Sequence, residues 1–202
     1  VTALAGGSAT IILTADDRKG GVIATAFTVA VNRAPVILNP IADRTITLGA
    51  EPYRRDLNAP AVFEDPDGDP LTLTVSSSAD TVATATINAG TLTVMAIRGG
   101  SATITIVADD RKEGMASNSF IITVNRPPRV SSPIAQQRLT LGDAPFARDL
   151  NFAPAVFADP DGDNMRYAAI SNAPGTALAN VSSNNILTVT TVGGGTAVIT
   201  IT

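Results

Sequence analysis

The stretch Ala59-Pro-Ala-Val-Phe-Glu-Asp-Pro-Asp-Gly-Asp69 returns as Ala153-Pro-Ala-Val-Phe-Ala-Asp-Pro-Asp-Gly-Asp163. Gly6-Gly-Ser-Ala-Thr-Ile11 likewise returns at 99–104, with a looser copy, Gly-Gly-Thr-Ala-Val-Ile, at 194–199. Asp16-Asp-Arg-Lys19 recurs as Asp109-Asp-Arg-Lys112. One sequence unit of about 93 residues is therefore written in tandem, and the chain begins and ends in the middle of it. Solenoid repeats are shorter and cannot bury a core alone, whereas a unit this long can hold its own. The fold must be an array of small, self-contained domains.

Within the unit the pattern is that of strands. Ala102, Ile104 and Ile106 alternate with Ser101, Thr103 and Thr105, and Phe120, Ile122 and Val124 do the same, as do Phe27, Val29 and Val31. That period of two is a half-buried strand. Strands are expected near 44–48, 54–58, 71–76, 82–87, 91–96, 101–108 and 118–124. Gly, Asn, Asp and Pro punctuate them, which predicts an all-β chain of antiparallel sandwiches. Aromatic residues are only 4% of the chain and Trp is absent, so β-branched side chains must fill the cores.

Asn32-Arg-Ala-Pro35 and Asn125-Arg-Pro-Pro128 mark the joints, because proline restricts itself and its predecessor to extended backbone. Residues 1–33 are then the end of one repeat, 34–126 a complete repeat, and 127–202 a repeat without its last strand. Termini at opposite poles would stack such units end to end. Phe27–Val31 supplies the strand that 127–202 lacks, and β-augmentation between molecules could bring the two together. Residues 1–14, however, duplicate 94–107, a segment that 189–202 already provides. That overlap points instead to a truncated stretch of a longer array.

The absence of His removes the commonest general base and the commonest transition-metal ligand. Without Cys there is no disulfide framework and no thiolate site. Net charge is −4 and basic residues do not cluster, which speaks against nucleic-acid partners. No apolar run has the length of a membrane span. Carboxylate pairs recur in each repeat inside turn sequences, whereas an active site is needed once, so the chain reads as non-enzymatic.

Asp65, Asp67 and Asp69, repeated as Asp159, Asp161 and Asp163, are the candidate metal ligands. Carboxylates at alternate positions around a tight turn can converge on a hard cation, and Ca²⁺ accepts such irregular oxygen sets. The same residues also make a good plain β-turn, with Asp bonding its own backbone and Gly accepting positive φ. The Asp16–Asp17 and Asp109–Asp110 segments read as solvated hairpin turns, and Tyr53 and Phe146 as core or corner aromatics.

Arg55-Asp-Leu, Ala61-Val-Phe-Glu-Asp-Pro-Asp-Gly-Asp69, Gly90-Thr-Leu-Thr-Val94, Gly100-Ser-Ala-Thr-Ile104, Ala108-Asp-Asp110 and Phe120–Val124 together resemble bacterial cadherin-like repeats of the dystroglycan type. The resemblance implies Ig-like β-sandwiches from large secreted or surface-attached proteins, engaged in adhesion, matrix or carbohydrate contact. In cadherins whose joints bind calcium, an Asp-x-Asp pair about thirty residues past the linker supplies ligands, and here Asp65/Asp67 and Asp159/Asp161 match that pair. The acidic linker of those proteins is replaced by Asn-Arg-x-Pro, and their Asp-Arg-Glu segment appears as Ile97-Arg-Gly-Gly100. One ion per repeat is then the most that can be held, with Asn32 or Asn125 assisting, or else Arg33 and Arg126 pair with the carboxylates in its place.

The expected role is a structural and adhesive rod or fibre at a bacterial surface, with neighbouring copies or adjacent repeats as partners. The competing reading is a carbohydrate-binding accessory module of a secreted protein.

Overall fold

The computed structural model describes Thr2 and residues 4–202; the expected equivalence of Val1 and Ala3 to the later repeat lies outside the described residues. It is all-β, and no helix is present among the described residues, hence none long and apolar enough to cross a membrane. Two compact units divide the chain, Val1–Asn125 and Arg126–Thr202.

The first unit opens on a hairpin of β1 (Gly7–Asp16) and β2 (Val22–Val31), paired along their whole length from Gly7↔Val31 to Asp16↔Val22. A complete sandwich follows. Its strands are β3 (Val36–Ile37), β4 (Arg44–Thr47), β5 (Tyr53–Asp56), β6 (Phe63–Glu64), β7 (Thr72–Ser77), β8 (Ala83–Asn88), β9 (Thr91–Ala96), β10 (Gly100–Asp109) and β11 (Met115–Asn125). One sheet has the order β4-β11-β10-β7 and the facing sheet β5-β9-β8, with β3-β6 as a short third ribbon. All pairs are antiparallel except β4 on β11, where Ile46 sits beside Val124.

The core is what the alternation dictates. Ala102, Ile104, Ile106 and Ala108 of β10 and Phe120, Ile122 and Val124 of β11 point inward against Ala83, Leu92 and Val94 of the facing sheet, all buried. The outward residues include Ser101, Thr103, Thr105, Ser117, Ser119 and Thr123, with Ile121 and Met115 exposed among them, and Thr105 and Ser119 bridge their hydroxyls at 2.9 Å across the β10–β11 ladder. Phe120 is the only phenylalanine or tyrosine in the described core that lies on this sheet, so Ile and Val carry most of the apolar volume. At roughly 25 cal/mol per Å² of apolar surface removed from water, such side chains each stabilise by about 1.5–3 kcal/mol.

The second unit repeats this plan in part. Its strands are β12 (Arg129–Val130), β13 (Phe146–Asp149), β14 (Phe157–Ala158), β15 (Ala169–Ser171), β16 (Ala177–Val181), β17 (Ile186–Thr191) and β18 (Ile199–Ile201). The sheet β13-β17-β16 reproduces β5-β9-β8, and β12-β14 reproduces β3-β6. Opposite them stands only β15-β18, in the places of β7 and β10. Residues 137–141, which match the stretch containing β4, form no strand. Leu150, Val156, Ala177, Leu187 and Val189 make a smaller buried core.

Because Ile104 is fully buried and close-packed, Ile104→Ala is expected to cost about 2–5 kcal/mol in urea unfolding. Ile12→Ala, on the exposed hairpin, should change stability by no more than about 0.5 kcal/mol.

Candidate functional site

The chemistry gathers where each linker meets the domain that follows it. In both domains the Asp-Pro-Asp-Gly-Asp stretch folds as one turn. Asp65 Oδ1 accepts the amides of Asp67 (2.8 Å) and Asp69 (3.2 Å), and Asp159 Oδ1 accepts those of Asp161 (2.8 Å) and Asp163 (3.2 Å). Gly68 and Gly162 close the turn at φ 79° and 80°, a left-handed conformation that glycine adopts without strain. The plain-turn reading of the motif is thus realised in both copies.

The turn presents its middle carboxylate to the linker arginine. Asp67 accepts the Arg33 amide at 2.7 Å on Oδ2 and the Arg33 Nε at 2.8 Å on Oδ1, while the Arg33 guanidinium also reaches the Pro66 carbonyl. The second copy is the same in each contact: Arg126 N to Asp161 Oδ2 at 2.6 Å, Arg126 Nε to Asp161 Oδ1 at 2.8 Å, and the guanidinium to the Pro160 carbonyl. Charge-assisted bonds of this forked kind fix direction as well as distance. The hydrogen bonds from Arg33, side chain first and then backbone, hold the Asp67 carboxyl below its ordinary range. The backbone amide and then the side chain of Arg126 do the same to Asp161.

A second arm closes the first linker. Asp110, at the β10–β11 turn, takes the amides of Lys112 (2.7 Å) and Gly114 (2.9 Å) on Oδ1 and the Asn32 side-chain amide (2.6 Å) on Oδ2. Burial pushes the Asp110 carboxyl up, and the Asn32 bond with the two backbone amides outweighs it, leaving its pKa lowered. Far from being a solvated turn as the sequence suggested, Asp110 is 3% exposed. The cause is Asn32, a distant residue folding over it. Gly114 permits the approach, since a Cβ there would stand 2.1 Å from Asp110 Oδ2 and 2.8 Å from the Ala34 Cα.

The expected metal ligands come together in both copies. Asp65, Asp67 and Asp69 offer oxygens within 4.8 Å of one another, as do Asp159, Asp161 and Asp163. Asp67 and Asp161, however, spend both oxygens on arginine. Lys112 Nζ lies 2.7 Å from Asp69 Oδ1, and that bond raises the Lys112 pKa. What stays unmatched in the first domain is Asp65 Oδ2 and Asp69 Oδ2, both buried without a donor. An unmatched buried carboxylate oxygen is costly and asks for a cation or water. Four carboxylates (Asp65, Asp67, Asp69, Asp110) against two cations (Arg33, Lys112) leave a local charge of −2, which suits one divalent ion. Within the first cluster the unmatched oxygens are those of Asp65 and Asp69, while both oxygens of Asp67 are held by Arg33. Asn32 serves as a donor to Asp110 and is not among those oxygens.

No family profile matches the chain, and no curated protein sequence matches it. Among solved structures, the titin I-band fragment I67–I69 is 11% identical, with 85% of this chain and 65% of that one covered at a TM-score of 0.46. Protocadherin Gamma B7 extracellular cadherin domains 1–4 are 16% identical, covering 96% and 53% at 0.42. Domains 4–9 of the surface layer protein SbsC are 16% identical, covering 97% and 33% at 0.32. The chain spans less than two thirds of the length of each. By its own sheet topology it consists of Ig-like, cadherin-like β-sandwich units.

Arg33→Ala should return the Asp67 carboxyl toward its ordinary value of 3.8, read by NMR titration of the side-chain carbons. Since the native values of Asp67 and Asp161 are depressed, the clamp stabilises the domains fully above the ordinary carboxylate range. Its contribution is lost as pH falls through the native values. Melting temperature should drop below about pH 4, less steeply in Arg33→Ala. Gly114→Ala should unseat Asn32 and raise amide exchange at Asn32 and Arg33.

Proposed function

We propose that this chain is a structural and adhesive stretch of a large bacterial extracellular rod or fibre, built from dystroglycan-type cadherin-like repeats. One observation carries the reading: the same linker arginine is clamped to the same turn carboxylate in both domains, contact for contact. A motif repeated at every joint serves the joint. A binding pocket or a catalytic centre would need to be built once, and the middle carboxylate of each turn is already engaged by the linker arginine. The role is non-enzymatic.

Ca²⁺ belongs to this reading as a second brace on the turn. Asp65 and Asp69 would hold it through their unmatched oxygens, with the neighbouring loop supplying backbone and water oxygens as calcium accepts. Asp159 and Asp163 form the corresponding pair in the second domain, in a more open setting. Neighbouring copies are the partners, joined by strands passed from one subunit to the next. The location is the cell exterior or surface.

Negative-stain micrographs of the purified chain test the assignment, which expects extended rods or fibres. Saturable binding to insoluble polysaccharides by compact particles would overturn it in favour of a carbohydrate-binding module. For the ion, millimolar calcium should raise the melting temperature over that in chelator; at a hundredfold excess over Kd the gain is about 2.7 kcal/mol. Asp69→Ala combined with Asp163→Ala should abolish that difference. Asp67→Ala should instead lower the melting temperature equally with calcium and with chelator, because its partner is Arg33.

A further inference from the structure

We infer that Lys112 is a tethered counter-ion of the cation site in the first sandwich, one that a divalent ion must displace and that sets how much calcium the site needs to fill. This rests on the calcium reading proposed above and names the residue that regulates it. The site is the pair of carboxylate oxygens left over once the turn and the linker have taken theirs. These are Asp65 Oδ2 and Asp69 Oδ2, both buried without a donor, and Asp65 as a whole is 7% exposed.

Two cations of the protein already reach this turn, and they are held very differently. Arg33 is fastened to Asp67 through its main-chain amide and its Nε, and its guanidinium also reaches the Pro66 carbonyl. Lys112 holds on through its ammonium alone, Nζ to Asp69 Oδ1 at 2.7 Å, from a side chain that is 57% exposed. Its main chain is anchored independently of that bond. The Lys112 amide donates to Asp110 Oδ1 at 2.7 Å, and its carbonyl accepts the Asn32 side-chain amide at 3.3 Å. Arg111 beside it is turned to the Thr72 hydroxyl, 2.8 Å from its Nε. The flexible stem of lysine lets the ammonium leave while the β10–β11 turn stays where it is.

A divalent ion on Asp69 Oδ2 would share one carboxylate with that ammonium. Like charges so close repel, and the exposed partner with a single bond yields first. Its release carries the ammonium into water and moves neither Arg33 nor Asn32, so the linker keeps its seat. Lys112 therefore subtracts from affinity. Asp65, Asp67, Asp69 and Asp110 less Arg33 and Lys112 leave a charge of −2, and without Lys112 the same groups would carry −3. The charge count of its ligands is one of the levers that tune a calcium site. Weakened in this way, the site fills in the range of about 0.1–1 mM typical of extracellular calcium modules, and empties below it.

The test is calorimetric titration of Ca²⁺ into the 202-residue chain carrying Asp163→Ala, which removes the corresponding pair in the second domain. Lys112→Gln, a change at an exposed side chain, is expected to lower the calcium Kd about three- to fivefold, the worth of one exposed ion pair. Lys112→Arg keeps the charge and should bring no tightening, which separates electrostatic competition from a merely structural role. Calcium binding with one Kd in all three chains overturns Lys112 as the competitor and leaves the calcium reading standing. Binding in the Lys112→Gln chain alone supports the competition and overturns calcium for the native chain. No binding in any of them overturns both.

Discussion

A strand buried on one face must still satisfy both of its backbone edges, and this requirement organises everything else in the chain. In the first sandwich β11 meets it by lying between β4 and β10, and β10 meets it by lying between β11 and β7. Without a strand in that lane, residues 137–141 of the second sandwich keep the sequence of a strand but not its conformation. The second copy carries Arg138 and Leu139 where the first has the β-branched Thr45 and Ile46, so it has both a weaker strand propensity and no hydrogen-bonding partner. The inward alternation of Ile104, Ile106, Phe120 and Ile122 then gives the paired sheet its apolar face, and burial of that face holds the sandwich closed.

The linker clamp is built on top of that frame. It needs the Asp-Pro-Asp-Gly-Asp turn to hold its middle carboxylate outward, which the amide bonds to Asp65 and Asp159 accomplish. It also needs the β10–β11 turn to place Asp110, which the long ladder beneath it positions. A surface ion pair is ordinarily worth little. Here each arginine adds a main-chain amide and a carbonyl contact to the pair, so the linker backbone itself is fastened rather than one mobile side chain.

Much of this was legible in the sequence, for reasons that differ by residue. The strands around Ile104 and Phe120 announce themselves by alternation over eight or more positions, and they run at 100–109 and 115–125 where 101–108 and 118–124 were expected. β3 and β6 are two residues each, too short to carry a period, and are defined only by each other. The pairing of Arg33 with Asp67 was one of two readings open for the turn, since charge and spacing permitted both metal and guanidinium. The burial of Asp110 left no local trace at all. Its neighbours are Asp, Arg and Lys, a solvated composition, and what covers it arrives from Asn32, far away in the chain. Side chains brought together by topology are invisible to a reading along the chain.

Asn32 and Arg33 are consecutive, yet they fasten to turns on different strands, one to Asp110 and the other to Asp67. Two moorings set apart on the domain's end do what a single one cannot. A lone bond leaves a swivel, free to rotate about the tether, whereas paired attachments oppose torsion as well as flexure. The backbone at Asn32 and Arg33 is thereby held against rotation on the sandwich that follows it.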